Sequence, residues 1–409
     1  MTEAIQRTEK ENEYLLHEKE FWLGDSYLPS PFSSQDFRFC LEKSDWEAIK
    51  RHISSIMLYI TNDCNSSCSI CYRKSKIGDG SKEMSKEKID EVLDKIGKNK
   101  RVTLIGGEPT VREDIFEIIK MVKKKGHSPE IFTNGLKLSD IKYVKKLKEA
   151  GVNRVYLSFD GFREEIYEKM RGDGSQIKAK LLALRNLEAF EINTVVSSVI
   201  AKDINEDQIE PLIEFCLDSI REGTSHIDGL LFYGLTNTGR CNLEGHQISA
   251  KELLKLMQKE TEGQVTSDYL METKKLALNI SRIMNKLNLP LNFGTGGFIG
   301  IYEPGSIKPF VPFQKIKKLN KLIEGGKKLG FGLEVLKTKK LRRMLWKFLS
   351  GSGVIKSITA PGAIFLGAGG ITSPSSHKPR MTGTVGLGQG PGNKIMVNSS
   401  GHDGSSEHT

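Results

Sequence analysis

The sequence predicts an α/β fold in which parallel strands alternate with helices around an open barrel, and three observations lead there. From about residue 55 to residue 240, short β-branched runs ending in Gly, Asn or Asp alternate with amphipathic stretches of helical period. Each amphipathic stretch is long enough to carry the chain back across a sheet by a right-handed crossover, which makes successive strands parallel neighbours. The 409 residues are 38% hydrophobic and 27% charged, a composition that buries a core and excludes collagen-like, coiled-coil and wholly disordered chains.

The strands are predicted at 57–61, 102–106, 130–133, 154–159, 193–200 and 227–233. The helices between them fall at 85–98, 112–125, 139–150, 176–190 and 207–221. Six strands in this order make a partial (β/α)6 TIM-like barrel, in which side chains just past the strands' C-terminal ends share one mouth. Ahead of the barrel, residues 1–49 read as a polar extension. The core runs over 50–245, a helical and basic region over 246–350, and a Gly/Ser-rich tail over 351–409 has no usable periodicity and is expected to lack regular structure. Within that tail, AIFLGAGG at 363–370 looks like a strand, but the ITSPSSHKP that follows opens no helix as a dinucleotide loop would require.

Charge is unevenly placed. Residues 308–347 hold 13 Lys and Arg against Glu324 and Glu334, an excess of 11 in a chain whose net charge is +10. Leu341, Met344, Leu345, Phe348 and Leu349 recur at helical spacing beside Lys339, Lys340, Arg342, Arg343 and Lys347. Such a helix over 337–349 either lies on an anionic membrane surface or docks its apolar side on the barrel. Nucleic acid is the less suited partner, since no RNA-binding module accompanies the charge. The charged N-terminus carries no secretion signal and no apolar run spans a membrane, so the expected location is the cytoplasm, at most peripheral to the inner face of the membrane.

Three of six cysteines stand within eight positions: Cys64-Asn-Ser-Ser-Cys68-Ser-Ile-Cys71, followed by Tyr72, directly after the first predicted strand. Thiolates spaced four and three apart suit three corners of an iron–sulfur cubane and leave one iron open. The alternative is a zinc site completed by a distant Cys40, Cys216 or Cys241. Cys216 falls on the apolar stripe of 207–221 and reads as core. Cys241 follows the sixth strand and reads as a loop thiol near the mouth.

CNSSCSICY has the CxxxCxxC form of the radical S-adenosylmethionine (SAM) superfamily, and the resemblance continues at successive strand ends. Gly106-Gly107-Glu108-Pro109 resembles that family's GGEP, Thr133-Asn134-Gly135 its TNG, and Ser158-Phe159-Asp160-Gly161 its SxDG. The resemblance covers about residues 50–240 and is strongest to the branch of molybdopterin-precursor cyclases, peptide-modifying enzymes and tetraether-lipid synthases.

It implies a [4Fe-4S] cluster held by Cys64, Cys68 and Cys71, with SAM on the open iron. One electron from the cluster then splits SAM into methionine and a 5′-deoxyadenosyl radical, which takes a hydrogen from the substrate. It further implies that Gly106, Gly107 and Glu108 approach and hold the methionine ammonium and that Ser158 and Arg171 meet its carboxylate. Asn134 would meet the ribose, and the main chain at Tyr72 the adenine. Asp160 either joins these contacts or caps the next turn, and Arg171 is otherwise a solvated arginine. Reduced ferredoxin or flavodoxin is the implied electron donor. No cysteine follows Cys241, so a second cluster held wholly by this chain is not expected. The substrate stays open, with the basic helix leaning toward a lipid and a peptide or small metabolite as the alternative; a non-catalytic cluster-binding protein is the reading from another class.

Overall fold

The computed structural model describes residues 55–72, 75, 77–78, 83–221, 226–237, 239–273, 275–276 and 312–328, together with strands at 25–27, 298–302, 364–370 and 384–399. Cys40 and the basic segment 337–349 lie outside the described residues.

In chain order the strands are β1 (Asp25–Tyr27), β2 (Ser55–Thr61), β3 (Arg101–Gly106), β4 (Ser128–Thr133), β5 (Arg154–Ser158), β6 (Asn193–Ile200), β7 (Ile227–Gly234), β8 (Phe298–Tyr302), β9 (Ile364–Gly370) and β10 (Thr384–Ser399). The helices are α1 (Lys86–Lys95), α2 (Ile115–Lys124), α3 (Ile141–Ala150), α4 (Glu164–Arg171), α5 (Gln176–Ala189), α6 (Ile209–Arg221), α7 (Ala250–Glu260) and α8 (Phe313–Lys328). β2 to β7 pair in sequence order and all in parallel, as the alternating pattern predicts. Two helices, α4 and α5, stand between β5 and β6 where the periodicity suggests one. The chain turns at Gly172, whose φ of +79° ends α4.

Alternation along the strands separates two faces. Val102, Leu104, Ile131, Val155, Leu157, Val196 and Leu230 pack with Ile89, Val92, Ile118, Val144, Leu147, Leu187 and Leu212 of the helices, all nearly fully buried. Each such side chain contributes about 2 kcal/mol to the core. The other face carries Tyr59, Ile105 and Phe132, with Phe132 stacked on Tyr156 at 5.4 Å between ring centres. Ser85 caps α1 by accepting from Lys88 N, Asp140 caps α3, and Ser249 with Glu252 forms a reciprocal capping box on α7.

The tail carries the strand read at 363–370 as β9 and otherwise differs from its expected irregularity. β9 pairs parallel with β7, β10 pairs parallel with β2, and β8 adds antiparallel to β9. An open barrel leaves two edge strands with unpaired backbone groups, and a strand can satisfy those whatever its side chains are, so Gly-rich text does not reveal it. In the basic region, α8 buries Ile316, Leu319 and Asn320, and Asn320 Nδ2 donates to the carbonyl and carboxylate of Glu272 at 2.9 and 2.7 Å. Lys315, Lys317, Lys318 and Lys321 stay exposed on its outer side. This first half of the basic segment therefore docks, with its charge outward. No helix among the described residues is long and apolar enough to cross a membrane.

Candidate functional site

The three-cysteine loop, 62–72, leaves the C-terminal end of β2 and is tied to the ends of β3 and β4 and to the chain after β7. Asp63 accepts from Cys64 N and Gly78 N, each at 2.7 Å, which folds the loop back on itself. From β3, Gly107 N donates to Thr61 O at 2.9 Å and Glu108 N to Asp63 O at 2.8 Å. A Cβ on Gly106 would stand 2.2 Å from Thr61 O, and one on Gly107 2.2 Å from Asp63 O. The close approach these glycines permit is to the root of the cysteine loop.

Glu108 is 1% exposed and its carboxylate is fully engaged. Oε1 accepts from Thr110 N at 3.0 Å, Thr110 Oγ1 at 2.7 Å and Thr133 Oγ1 at 2.7 Å, and Oε2 accepts from Asn134 N at 2.6 Å. Burial pushes this carboxyl up from its ordinary value, and those donors pull it back. The residue expected to hold an ammonium instead ties β3 to β4. Asn134 in turn donates from Nδ2 to Asn65 Oδ1 at 2.7 Å, joining the end of β4 to the cysteine loop.

Asp160 and Arg171 form a buried fork, with Nε to Oδ2 at 2.7 Å and Nη2 to Oδ1 at 2.9 Å. Asp160 also accepts from Val199 N at 2.9 Å and is fully buried, so it clamps α4 and β6 together. Arg171 is half-buried by its partner and not solvated; its remaining Nη1 points to Cys68 Sγ at 4.0 Å. Burial opposes the Arg171 charge, while Asp160 and Cys68 overcome it and hold the guanidinium protonated. Ser66 Oγ lies 3.2 Å from Cys68 Sγ and accepts from Gln176 Nε2 at 3.1 Å. The Ser158 hydroxyl makes no hydrogen bond among the described residues.

Over the loop's far side lies the chain that follows β7. Arg240 N donates to Cys71 O at 2.7 Å and Asn242 N to Ser69 O at 3.2 Å. Gly239, at φ +69°, has no room for a Cβ, which would meet Tyr72 O at 2.2 Å. The main chain at Tyr72, expected to meet adenine, packs closely against Gly239. Cys241 packs against Ile70, Tyr167 and Met170, and Cys216 is fully buried in the core as its stripe predicts.

Sequence reasoning missed Lys180. It is fully buried on α5, its Nζ donating to Asn134 O at 2.6 Å and Ser158 O at 2.8 Å, with the Tyr167 ring 5.8 Å away. Burial pushes its ammonium down to about 8, Arg171 adds to that, and Asp160, Cys68 and Glu108 pull the other way. The signal was present: Lys180 interrupts the apolar stripe of Ile177, Ala183, Leu184 and Leu187.

The donor set fits an iron–sulfur cluster. Burial, then Glu108, pushes the Cys64 thiol up to about 12, so this sulfur is held as a ligand only against a positive partner. Among the described residues, no three His, Cys, Asp or Glu side chains gather around a point suited to a single ion, and a four-iron cluster spreads its thiolates over separate corners. Beside the loop, Arg240 Nη2 and Gln176 Oε1 are buried polar atoms with no hydrogen-bond partner, as a wall awaiting a polar ligand would have.

A parallel α/β barrel with a three-thiol loop at its mouth defines a class of cluster-dependent α/β proteins. Within it, residues 58–216 match the family described as the Radical SAM superfamily. Members of that superfamily use a [4Fe-4S] cluster and SAM. The chain is 27% identical over 337 residues to the 7,8-dihydro-6-hydroxymethylpterin dimethyltransferase of Methanocaldococcus jannaschii, covering 75% of this chain and 65% of that protein. It is 34% identical over 175 residues to a probable GTP 3′,8-cyclase of Methanothermobacter marburgensis, covering 41% and 55%. The chain thus spans between half and two thirds of the length of these relatives. Among solved structures, Streptococcus suis SuiB bound to its precursor peptide SuiA is similar in fold, at 17% identity and a TM-score of 0.42, over 53% of this chain and 48% of that one.

Proposed function

We propose that this protein is a radical SAM enzyme that binds its cluster through Cys64, Cys68 and Cys71 and SAM across the ends of β3 to β6. The observation that carries this reading is that the ends of β3 and β4, through Glu108 and Asn134, and the end of α4, through Arg171, all reach the three-thiol loop. Held there, the cluster and SAM would supply radical chemistry for hydrogen abstraction from a substrate.

The chain's own work is to bind, aim and shield. Arg171, neutralised by Asp160, turns its remaining Nη1 to Cys68 and offsets thiolate charge there. Ser158, its hydroxyl uncommitted, is the donor for the SAM carboxylate, and Asn134 is the ribose contact. Gly106, Gly107, Glu108 and Asp160 hold the shape of the site, and the Tyr72 main chain borders it. Arg240, with its unpaired Nη2, is the substrate-side cation.

The dimethyltransferase relative, matched over 75% of this chain, favours a small heterocyclic metabolite as the substrate class. A lipid or an anionic membrane surface is the second reading, favoured by the basic apolar-seamed segment at 337–349. Reduced ferredoxin or flavodoxin would deliver the electron.

Anaerobic reconstitution with iron and sulfide, then dithionite and SAM, tests this. Release of 5′-deoxyadenosine is the expected result, and its absence from protein holding about four irons per chain overturns it. Replacing Cys64, Cys68 and Cys71 by Ala is expected to abolish both iron content and product.

A further inference from the structure

The β4–β5 ladder stops one step short of the site. Its pairs run from Glu130 with Arg154 to Thr133 with Leu157. The next two residues, Asn134 and Ser158, carry the side chains proposed above to meet SAM. Where the strands stop pairing, the Lys180 ammonium takes over, one cation donating to both carbonyls at 2.6 and 2.8 Å. Lys180 comes from α5, outside the sheet, and is fully buried. An apolar side chain of that length would pack there without a buried charge, but would leave two carbonyls unbonded at the mouth. The charged groups around it are Arg171 on α4, Asp160 past β5, Glu108 past β3 and Cys68 in the loop, with the Tyr167 ring on α4.

We propose that Lys180 is a positioning residue for SAM: it bolts the ends of β4 and β5 together, so that Asn134 and Ser158 present one rigid edge to the cofactor. This rests on the radical SAM reading, and it concerns residues that no motif at the strand ends contains. A ligand bound by a pre-ordered edge loses affinity when the edge must be ordered on binding, while the reaction of the bound ligand changes little.

The test uses cluster-loaded full-length protein and Lys180→Met, which keeps length and removes donor and charge. The dissociation constant for SAM is measured by equilibrium dialysis, and KM and kcat by 5′-deoxyadenosine release. The expected result is a rise of fivefold or more in both the dissociation constant and KM, with kcat at saturating SAM within threefold of the parent. A smaller rise, or a loss that falls on kcat, overturns the proposal. Should Lys180→Met fail to load iron, Lys180→Gln is judged by the same limits; failure of both to load iron assigns Lys180 to the scaffold and also overturns it. If the parent binds SAM but releases no 5′-deoxyadenosine, the radical reading fails by itself, and the binding comparison still decides the role of Lys180.

Discussion

At Glu108 four donors converge on one buried carboxylate, and at Lys180 one buried ammonium serves two carbonyls, so each side chain has more partners than it could lose cheaply. Glu108→Ala strands Thr110 N and Oγ1, Thr133 Oγ1 and Asn134 N. The expected loss is at least about 3 kcal/mol, read by urea unfolding. For Lys180 the pH dependence has a definite sign. Its ammonium sits near 8 in the folded chain against 10.5 in the open one. Below about 8 both states carry the proton and the folded one bears the full penalty. Between 8 and 10.5 the unfolded chain alone keeps it, so stability rises with pH. Lys180→Met removes that rise: its stability relative to the parent is expected to fall by up to about 3 kcal/mol from pH 7.5 to pH 10. A pH-independent difference would mean that Lys180 titrates normally.

Among the elements, the junction of β3 with the cysteine loop is the least tolerant. Gly107→Ala puts a methyl group 2.2 Å from Asp63 O, and backbone does not move aside as a side-chain tip would. A loss of about 3 kcal/mol and a fall in iron bound per chain are expected, read by thermal unfolding and iron analysis. By contrast, Ser249→Ala removes only a cap from α7, remote from the loop, and is expected to cost about 1 kcal/mol with iron content unchanged. Together these two variants separate damage to the site from damage to the scaffold.

At the scale of the whole molecule, the excess charge lies away from the chemistry. Exposed lysines of α8 face outward, while at the mouth Arg171 is paired with Asp160 and Lys180 with carbonyls. Sedimentation with anionic vesicles at low salt therefore reads the basic segment alone. Neutralising Lys339, Lys340, Arg342, Arg343 and Lys347 is expected to abolish co-sedimentation while leaving SAM cleavage intact. Equal binding by parent and variant would remove the case for a membrane surface.

The order of strands, the parallel sheet and the three-cysteine loop were legible in the sequence, because period and motif are local properties of consecutive residues. Cys216 as core was legible for the same reason, since its stripe lies within one helix. The partners of Glu108, Asp160 and Lys180 were not. Glu108 meets Thr133 and Asn134, Asp160 meets Val199, and Lys180 meets Asn134 and Ser158, all across separations that only the closing of the barrel brings together. The strand that covers the edge of β2 was hidden likewise, for backbone pairing leaves no mark on side-chain pattern, whereas the one that covers β7 coincides with the strand read at 363–370. By itself, then, the sequence determined the order of the parallel strands and where the three-cysteine loop stands among them. Tertiary structure alone decided which of the strand-end residues are committed to holding the site and which are left to meet a ligand, because a buried polar group is claimed by whichever partner the fold brings within hydrogen-bond reach.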